Sequence, residues 1–437
     1  MYAKFLIPVL CLLAQPVWAQ TLSQTLSNGL KVIVKEDRRA PVAVSQLWYK
    51  VGSIDEQTGK SGLSHALEHM MFKGTPSVPS GEFSRRVAAL GGQNNAYTDR
   101  SETVYYEHIA AANLPEVLKL EADRMRNLNF SNRDFLNEMN VIREERRQRT
   151  EDSAAGKMWE QVFLSSFTLP AMRASVIGYM QDLHTLKAAD LRSWYKQFYA
   201  PNNAVLVIVG DVDARATLQT VENLFGNIPA KPLPKRNHLA AEPAERAPAY
   251  AETESAVTHR PLVALSFRVP ALKQTSERLP YALDVLSDIL AGHSSSRLDS
   301  RLVRGKQMLL SADTSYDMLS REMPLFSITA MPSENVSPQA ALNALRAEIR
   351  DIAEHGVSED ELKRVKAWSA AAEVYEKDEM SAQADMMGRL EIRGFSYTDE
   401  AEIRRRLQQV STDDVQQAAK LLTERRSSTV IVFPARQ

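Results

Sequence analysis

The sequence predicts an α+β protein: two similarly folded domains from an internal duplication, each a mostly antiparallel sheet with helices packed on one side. Three observations carry this. The chain has 437 residues, too many for one ordinary core and enough for two domains. Strand-rich and helix-rich segments recur twice in one order, with residues 260–267 echoing 40–47 and 428–434 echoing 203–210. Between the repeats, residues 229–250 hold Pro229, Pro232, Pro234, Pro243 and Pro248 among Ala, Lys and Glu, the composition of a linker. The expected division is a leader at 1–19, a first domain at 20–228, the linker at 229–250 and a second, homologous domain at 251–437.

Composition sets the class. Hydrophobic residues are 44% and charged residues 24%, ordinary globular values. A net charge of −1 argues against a nucleic-acid groove or a basic membrane-hugging face. Lys4, the apolar run 5–14 broken by Pro8, and the small residues Val17 and Ala19 read as a signal peptide cleaved before Gln20. An uncleaved anchor is the alternative, but the run is short of the roughly 20 residues that a span needs. Export, with the periplasm as destination, is the expectation. Cleavage removes Cys11, the one cysteine, so the mature chain has no disulfide and any metal site must use His and carboxylate.

The elements follow in order. Residues 25–34 read as a hairpin turning at Asn28-Gly29, and 42–49 as a further strand. Gly59-Lys60-Ser61 looks like the tail of a phosphate loop, but Ile54 stands where the leading glycine belongs. Ser61 is placed to cap a helix beginning at Gly62. Residues 80–90 form a helix with Phe83, Val87 and Leu90 on one face, and Gly91-Gly92 ends it. Strands follow at 93–98 and 101–106, then amphipathic helices at 114–128 and 135–149. Residues 203–211 are a buried strand, and the helical stretch 359–387 reads as core packing.

The chemistry concentrates in Gly62-Leu63-Ser64-His65-Ala66-Leu67-Glu68-His69-Met70-Met71-Phe72. Residues four apart share a helix face, so His65 and His69 present two imidazoles to one ion. Glu68 lies on the same side and can reach a water without being a ligand. This is the H-x-x-E-H order, the reverse of H-E-x-x-H. One Zn2+ per chain suits neutral imidazole plus carboxylate with a position left open for water. A surface pair of histidines is the competing reading, and a third ligand decides against it. Glu138 and Glu145 are seven residues apart and share a face with Val141 and Ile142 between them. A carboxylate among apolar neighbours needs a partner or a metal. Glu145 is the candidate ligand, Glu138 the group that holds a ligand histidine by its other nitrogen, and Glu144 a solvated residue. His108, His184, His238, His259, His293 and His355 show no ligand spacing.

With these residues in view, the chain resembles the pitrilysin/insulinase family of zinc peptidases, in its shorter branch with the mitochondrial processing peptidases. The signature runs from Gly62 to Phe72 and on through Lys73-Gly74-Thr75, with Val51-Gly52-Ser53 before it and Asn95-Ala96-Tyr97-Thr98 after. The family's third ligand follows the second histidine by about 76 positions, which falls on Glu145. The resemblance implies that His65, His69 and Glu145 hold the zinc and that Glu68 moves the proton to the leaving amine. It also implies that the substrate peptide adds as a strand to Asn95-Ala96-Tyr97. Tyr97 and Phe72 are candidates for a side-chain pocket, with core packing as the alternative for Phe72.

One departure matters. The family's second half supplies an Arg and, seven residues later, a Tyr that face the substrate. Ungapped alignment puts Val303 and Leu310 there, and neither side chain donates a hydrogen bond. Arg301 and Arg304 are nearby but out of register. The resemblance implies a cavity between two half-clamshells, so the expectation is a heterodimer with a homologous subunit carrying the Arg/Tyr pair, or else a homodimer. A catalytically inactive structural or peptide-binding subunit is the alternative function.

Overall fold

Six strands form the first sheet: β1 (Thr21–Thr25), β2 (Lys31–Glu36), β3 (Val42–Tyr49), β4 (Gln93–Thr98), β5 (Thr103–Ala110) and β6 (Ala204–Gly210). The second holds β7 (Ala249–Ser255), β8 (Leu262–Arg268), β9 (Leu309–Ser315), β10 (Leu325–Pro332) and β11 (Ser427–Pro434). The structure, a computed structural model, describes residues 20–236 and 242–435, so the leader expected at 1–19 lies outside the described residues.

The sheet orders are β1-β2-β6-β3-β5-β4 and β7-β11-β8-β10-β9. Apart from the extra β1 the two orders correspond strand for strand. In each, one parallel pair (β2 with β6, β7 with β11) sits in an otherwise antiparallel sheet. The duplication read from the two sequence echoes therefore extends to topology: β3 corresponds to β8 and β6 to β11. The hairpin β1–β2 is wider than a two-residue turn, because Thr25 pairs with Lys31. Asn28 is buried there and donates to the carbonyls of Phe225 and Ile228.

The expectation of helices on one side needs an addition. Helices of the first half, α1 (Leu63–Met70), α2 (Glu82–Ala89), α3 (Leu114–Asn127) and α4 (Asn132–Arg146), share a core with one face of the first sheet. The other face is covered by a helix from the far end of the chain, Met380–Arg393. Its Ala384, Met387 and Ile392 pack on Val44, Trp48, Val205, Val207 and Val209. Reciprocally, α5 (Ala154–Ser166) from the first half lays Met158 and Val162 on Ala264, Val430 and Val432 of the second sheet. Cover on both faces is why β6 is apolar at nearly every position rather than alternating. The approach is close: a Cβ on Gly388 would lie 2.2 Å from the Trp48 ring. The stretch read as one helix over 359–387 is two, Glu359–Asp378 and Met380–Arg393, bent at Glu379.

Candidate metal centre

α1 packs Leu63, Ala66, Leu67 and Met70 into the core, which turns His65 and His69 toward α4. Ser61 does not cap it. Its hydroxyl donates to Asp182 Oδ2 at 2.5 Å, and Gly62 takes the N-cap position with a left-handed φ of 84°. The buried Glu56 supplies the acceptors instead, taking the N–H of Gly62 at 2.8 Å and of Ser64 at 2.7 Å. Burial pushes the Glu56 carboxyl up to about 8, against the two backbone donors that favour its ionised form.

α4 brings Glu138 and Glu145 to the same place. Glu145 Oε2 lies 3.7 Å from His65 Nε2 and 3.4 Å from His69 Nε2. Ligand atoms of these three residues all lie within 4.8 Å of one another, and no other such group of His, Cys, Asp or Glu occurs among the described residues. Glu138 Oε1 sits 2.9 Å from His69 Nδ1, and its Oε2 is 2.5 Å from Lys73 Nζ. On the far side of Glu145, Arg149 Nη2 reaches Oε1 at 2.9 Å from a π-helical turn over Arg147–Glu151. Ile142 is buried between the two carboxylates as expected, but Val141 faces solvent, 53% exposed.

Glu68 is held from the edge strand. Thr98 Oγ1 donates to Glu68 Oε2 at 2.6 Å. Burial raises the Glu68 pKa, and the Thr98 bond and the charge of His69 pull against it. Burial and the neighbouring His69 bring His65 down to about 4. Burial works the same way on His69, but its bond to Glu138 and the nearby Glu145 carboxylate outweigh it and hold the ring at about 9.

These residues fit a zinc ion. His65 presents a neutral imidazole, and His69 spends Nδ1 on Glu138, which leaves Nε2 for a metal. Glu145 Oε2 is buried with no hydrogen-bond partner. Two nitrogens and a carboxylate oxygen converging on one point, one oxygen orphaned, are a three-ligand set of the kind zinc uses.

β4 is the outermost strand of its sheet, so one side of its backbone pairs with no strand among the described residues. Its side chains alternate. Ala96 packs on the first core and Thr98 faces Glu68, while Tyr97 points to the other face, edge-on to Trp48 with ring centroids 6.2 Å apart. The Tyr97 ring is thus turned from α1. Phe72 is core: it packs against Phe83 and Tyr105 under the Arg124 guanidinium. Sequence reading assigned no role to Thr98, Lys73 or Glu56. Lys73 carries a signal, being four residues after His69. Glu56 sits six and eight residues before the N–H groups it accepts, outside the usual capping spacing, and Thr98 reaches Glu68 from 30 residues away.

The stretch expected to bear the Arg/Tyr pair has none to offer. Val303 packs on the second core and Leu310 is 49% exposed on β9. Arg301 is bound to Glu348 and Asp351, each at 2.9 Å, and Arg304 to Asp299 at 2.9 Å.

Comparison with known proteins agrees with this geometry. Residues 31–167 match the insulinase (peptidase family M16) domain, and 185–367 the M16 inactive domain. The zinc protease PqqE of Helicobacter pylori is 32% identical over 348 residues, covering 79% of this chain and 77% of that protein. The chain belongs to the insulinase (M16) peptidase family. An uncharacterised zinc protease of Streptomyces coelicolor is 28% identical over 94% of this chain and 89% of its own. The M16 fold is shared with a crystal structure of a Helicobacter pylori protease, with a TM-score of 0.90 at 28% identity over 95% of this chain and 100% of that one. The periplasmic protease PqqL of Escherichia coli matches at a TM-score of 0.78 and 21% identity over 94% of this chain but 47% of that chain.

Proposed function

We propose that the chain is a zinc-dependent endopeptidase that hydrolyses peptides or unfolded segments. The convergence of His65, His69 and Glu145 beside a hydroxyl-held Glu68 carries this reading. In it, His65, His69 and Glu145 are the zinc ligands. Bound zinc supplies Lewis acidity, acidifying a water toward a pKa of about 7 and polarising the scissile carbonyl. Glu68 takes a proton from the attacking water and delivers it to the leaving amine, with Thr98 fixing the carboxylate between the two transfers. Glu138 accepts from His69 Nδ1–H and keeps that ring from turning, and Lys73 keeps Glu138 ionised. The free side of Asn95-Ala96-Tyr97 receives the peptide as an added strand, so affinity comes from backbone pairing with little sequence preference.

A partner completes the cavity in this reading. Val303 and Leu310 leave the second half without a donor toward the substrate, and a homologous subunit with Arg and Tyr at those places would supply one. That the chain matches about half of the longer Escherichia coli protein supports an assembly of two such units. The leader-like N-terminus supports export to the periplasm. No helix among the described residues is long and apolar enough to cross a membrane.

The test is cleavage of a quenched peptide by the zinc-loaded chain, alone and mixed with a homologous subunit, beside Glu68→Gln. Cleavage abolished by chelation and by Glu68→Gln is expected. Bound zinc with no cleavage in any mixture would favour a structural or peptide-binding subunit, and full activity of the chain alone would remove the need for a heterodimer.

A further inference from the structure

Side chains of the second half touch the segments that hold the site in the first: Arg393 lies 2.9 Å from Glu102 after β4, and Arg321 reaches both segments. Arg321 lies between β9 and β10 with its side chain 15% exposed. Its Nη2 donates to Asp55 Oδ1 at 2.8 Å, and its Nη1 reaches the Ser101 carbonyl at 3.4 Å. Asp55, 6% exposed, accepts the Gly52 N–H at 3.1 Å and so closes the 3-10 turn Ser53–Asp55. The next residue, Glu56, accepts the first-turn N–H groups of α1, the helix that carries His65 and His69. Ser101 lies in the turn after β4, and β4 ends at Thr98, whose hydroxyl holds Glu68.

The two segments are joined to each other. Ser53 N–H donates to the Asp99 carbonyl at 3.2 Å and Ile54 N–H to the Arg100 carbonyl at 2.9 Å. A Cβ on Gly52 would come within 2.3 Å of the Asp99 carbonyl oxygen, so there is no slack between them. Without Arg321, Asp55 would keep as its nearest cation only Arg236, whose Nε is 3.6 Å away. An eight-residue helix moves as a body, and displacing catalytic groups by about 1 Å can cost a hundredfold in rate.

We propose that Arg321 is a positioning residue: from the second half it seats the α1 cap and the end of β4, and so aligns His65 and His69 with Glu68. The inference rests on the peptidase reading and adds a task for the half that carries no metal.

The test compares Arg321→Met, Arg321→Lys and Arg321→Met/Asp55→Asn in the full chain, by zinc affinity in chelator competition, melting temperature, and kcat and KM on a quenched peptide in whichever assembly is active. For Arg321→Met the zinc Kd should rise about threefold to tenfold and kcat fall about tenfold with KM nearly unchanged. Arg321→Lys should recover part of both. The double variant should be no worse than Arg321→Met alone, since both act on the same ion pair. Lys31→Met is the control, because it breaks the 2.7 Å Lys31–Glu391 pair between the same halves, a pair that touches neither Asp55 nor Ser101. It should lower the melting temperature and leave zinc Kd and kcat as in wild type. Wild-type zinc Kd and kcat in Arg321→Met, or the same losses in Lys31→Met, would overturn the proposal. If the wild type cleaves nothing in any assembly, the peptidase reading fails and the zinc affinities alone decide on Arg321.

Discussion

Thr98→Val is the substitution that isolates the general base. The two side chains have nearly the same shape, and the strand position favours β-branched residues, so the fold should hold. What is lost is one hydrogen bond, from Thr98 Oγ1 to Glu68 Oε2 at 2.6 Å. A hydrogen bond to a charged group contributes about 1.5–3 kcal/mol, and each 1.36 kcal/mol in a barrier is tenfold in rate. The whole bond is at stake, because Thr98 makes the one side-chain hydrogen bond to Glu68 among the described residues. We expect kcat/KM to fall about 10- to 100-fold while zinc content stays at one per chain. The assay is steady-state cleavage of a quenched peptide with metal analysis of the same samples. Unchanged kcat/KM would refute the claim that Thr98 holds Glu68 in its working position. A drop explained by lost zinc would refute it equally, since Thr98 touches no proposed ligand.

Four other outcomes follow from named contacts. Glu138→Gln can still accept from His69 but loses the ion pair with Lys73, and its zinc affinity should fall about 10- to 100-fold in chelator competition. Chelating the zinc should lower the melting temperature, since free zinc at 100 times its Kd stabilises by about 2.7 kcal/mol; an unshifted transition would count against a bound ion. Gly388→Ala would normally gain about 1 kcal/mol in a helix. Here the new methyl meets Trp48, 1% exposed and tied to Gln46, so overpacking of about 1–3 kcal/mol should win and the melting temperature should fall. Burial opposes ionisation of Glu361, but its bonds from Arg297 at 2.7 and 3.0 Å help hold its pKa down at about 2, against an ordinary 4.5. A carboxyl depressed in the folded state stabilises fully above its unfolded pKa and loses that contribution as pH falls toward the folded one. Wild type should therefore lose up to about 3 kcal/mol relative to Glu361→Gln between pH 4.5 and 2, measured by denaturant titration at each pH.

What the sequence made legible was whatever is local or periodic. His65 and His69 are one helical turn apart, and Glu138 and Glu145 two turns apart on a second helix, so each pair could be found without knowing how the helices meet. The echo of β6 in β11 was readable because both are apolar runs bounded by turns. The Thr98–Glu68 bond was not, since it joins segments whose approach the sheet decides, and the Glu56 cap was not, since it spans a loop longer than the usual three-residue capping spacing. Nor did the pattern say which sheet a helix covers. Ala384 and Met387 show an apolar face, and nothing local records that its partner is Trp48, more than 300 residues earlier. The break at Glu379 has neither Pro nor Gly to announce it.

Because α5 and Met380–Arg393 each lie on the sheet of the opposite half, the two halves are held together by more than the chain that joins them. Residues 20–228 made separately would present Val44, Trp48, Val205, Val207 and Val209 bare to water, a greasy surface that invites aggregation. A protease that nicks the chain between 229 and 250 should accordingly yield two bands on a denaturing gel but one particle in solution, with the fragments parting only when the fold itself is lost.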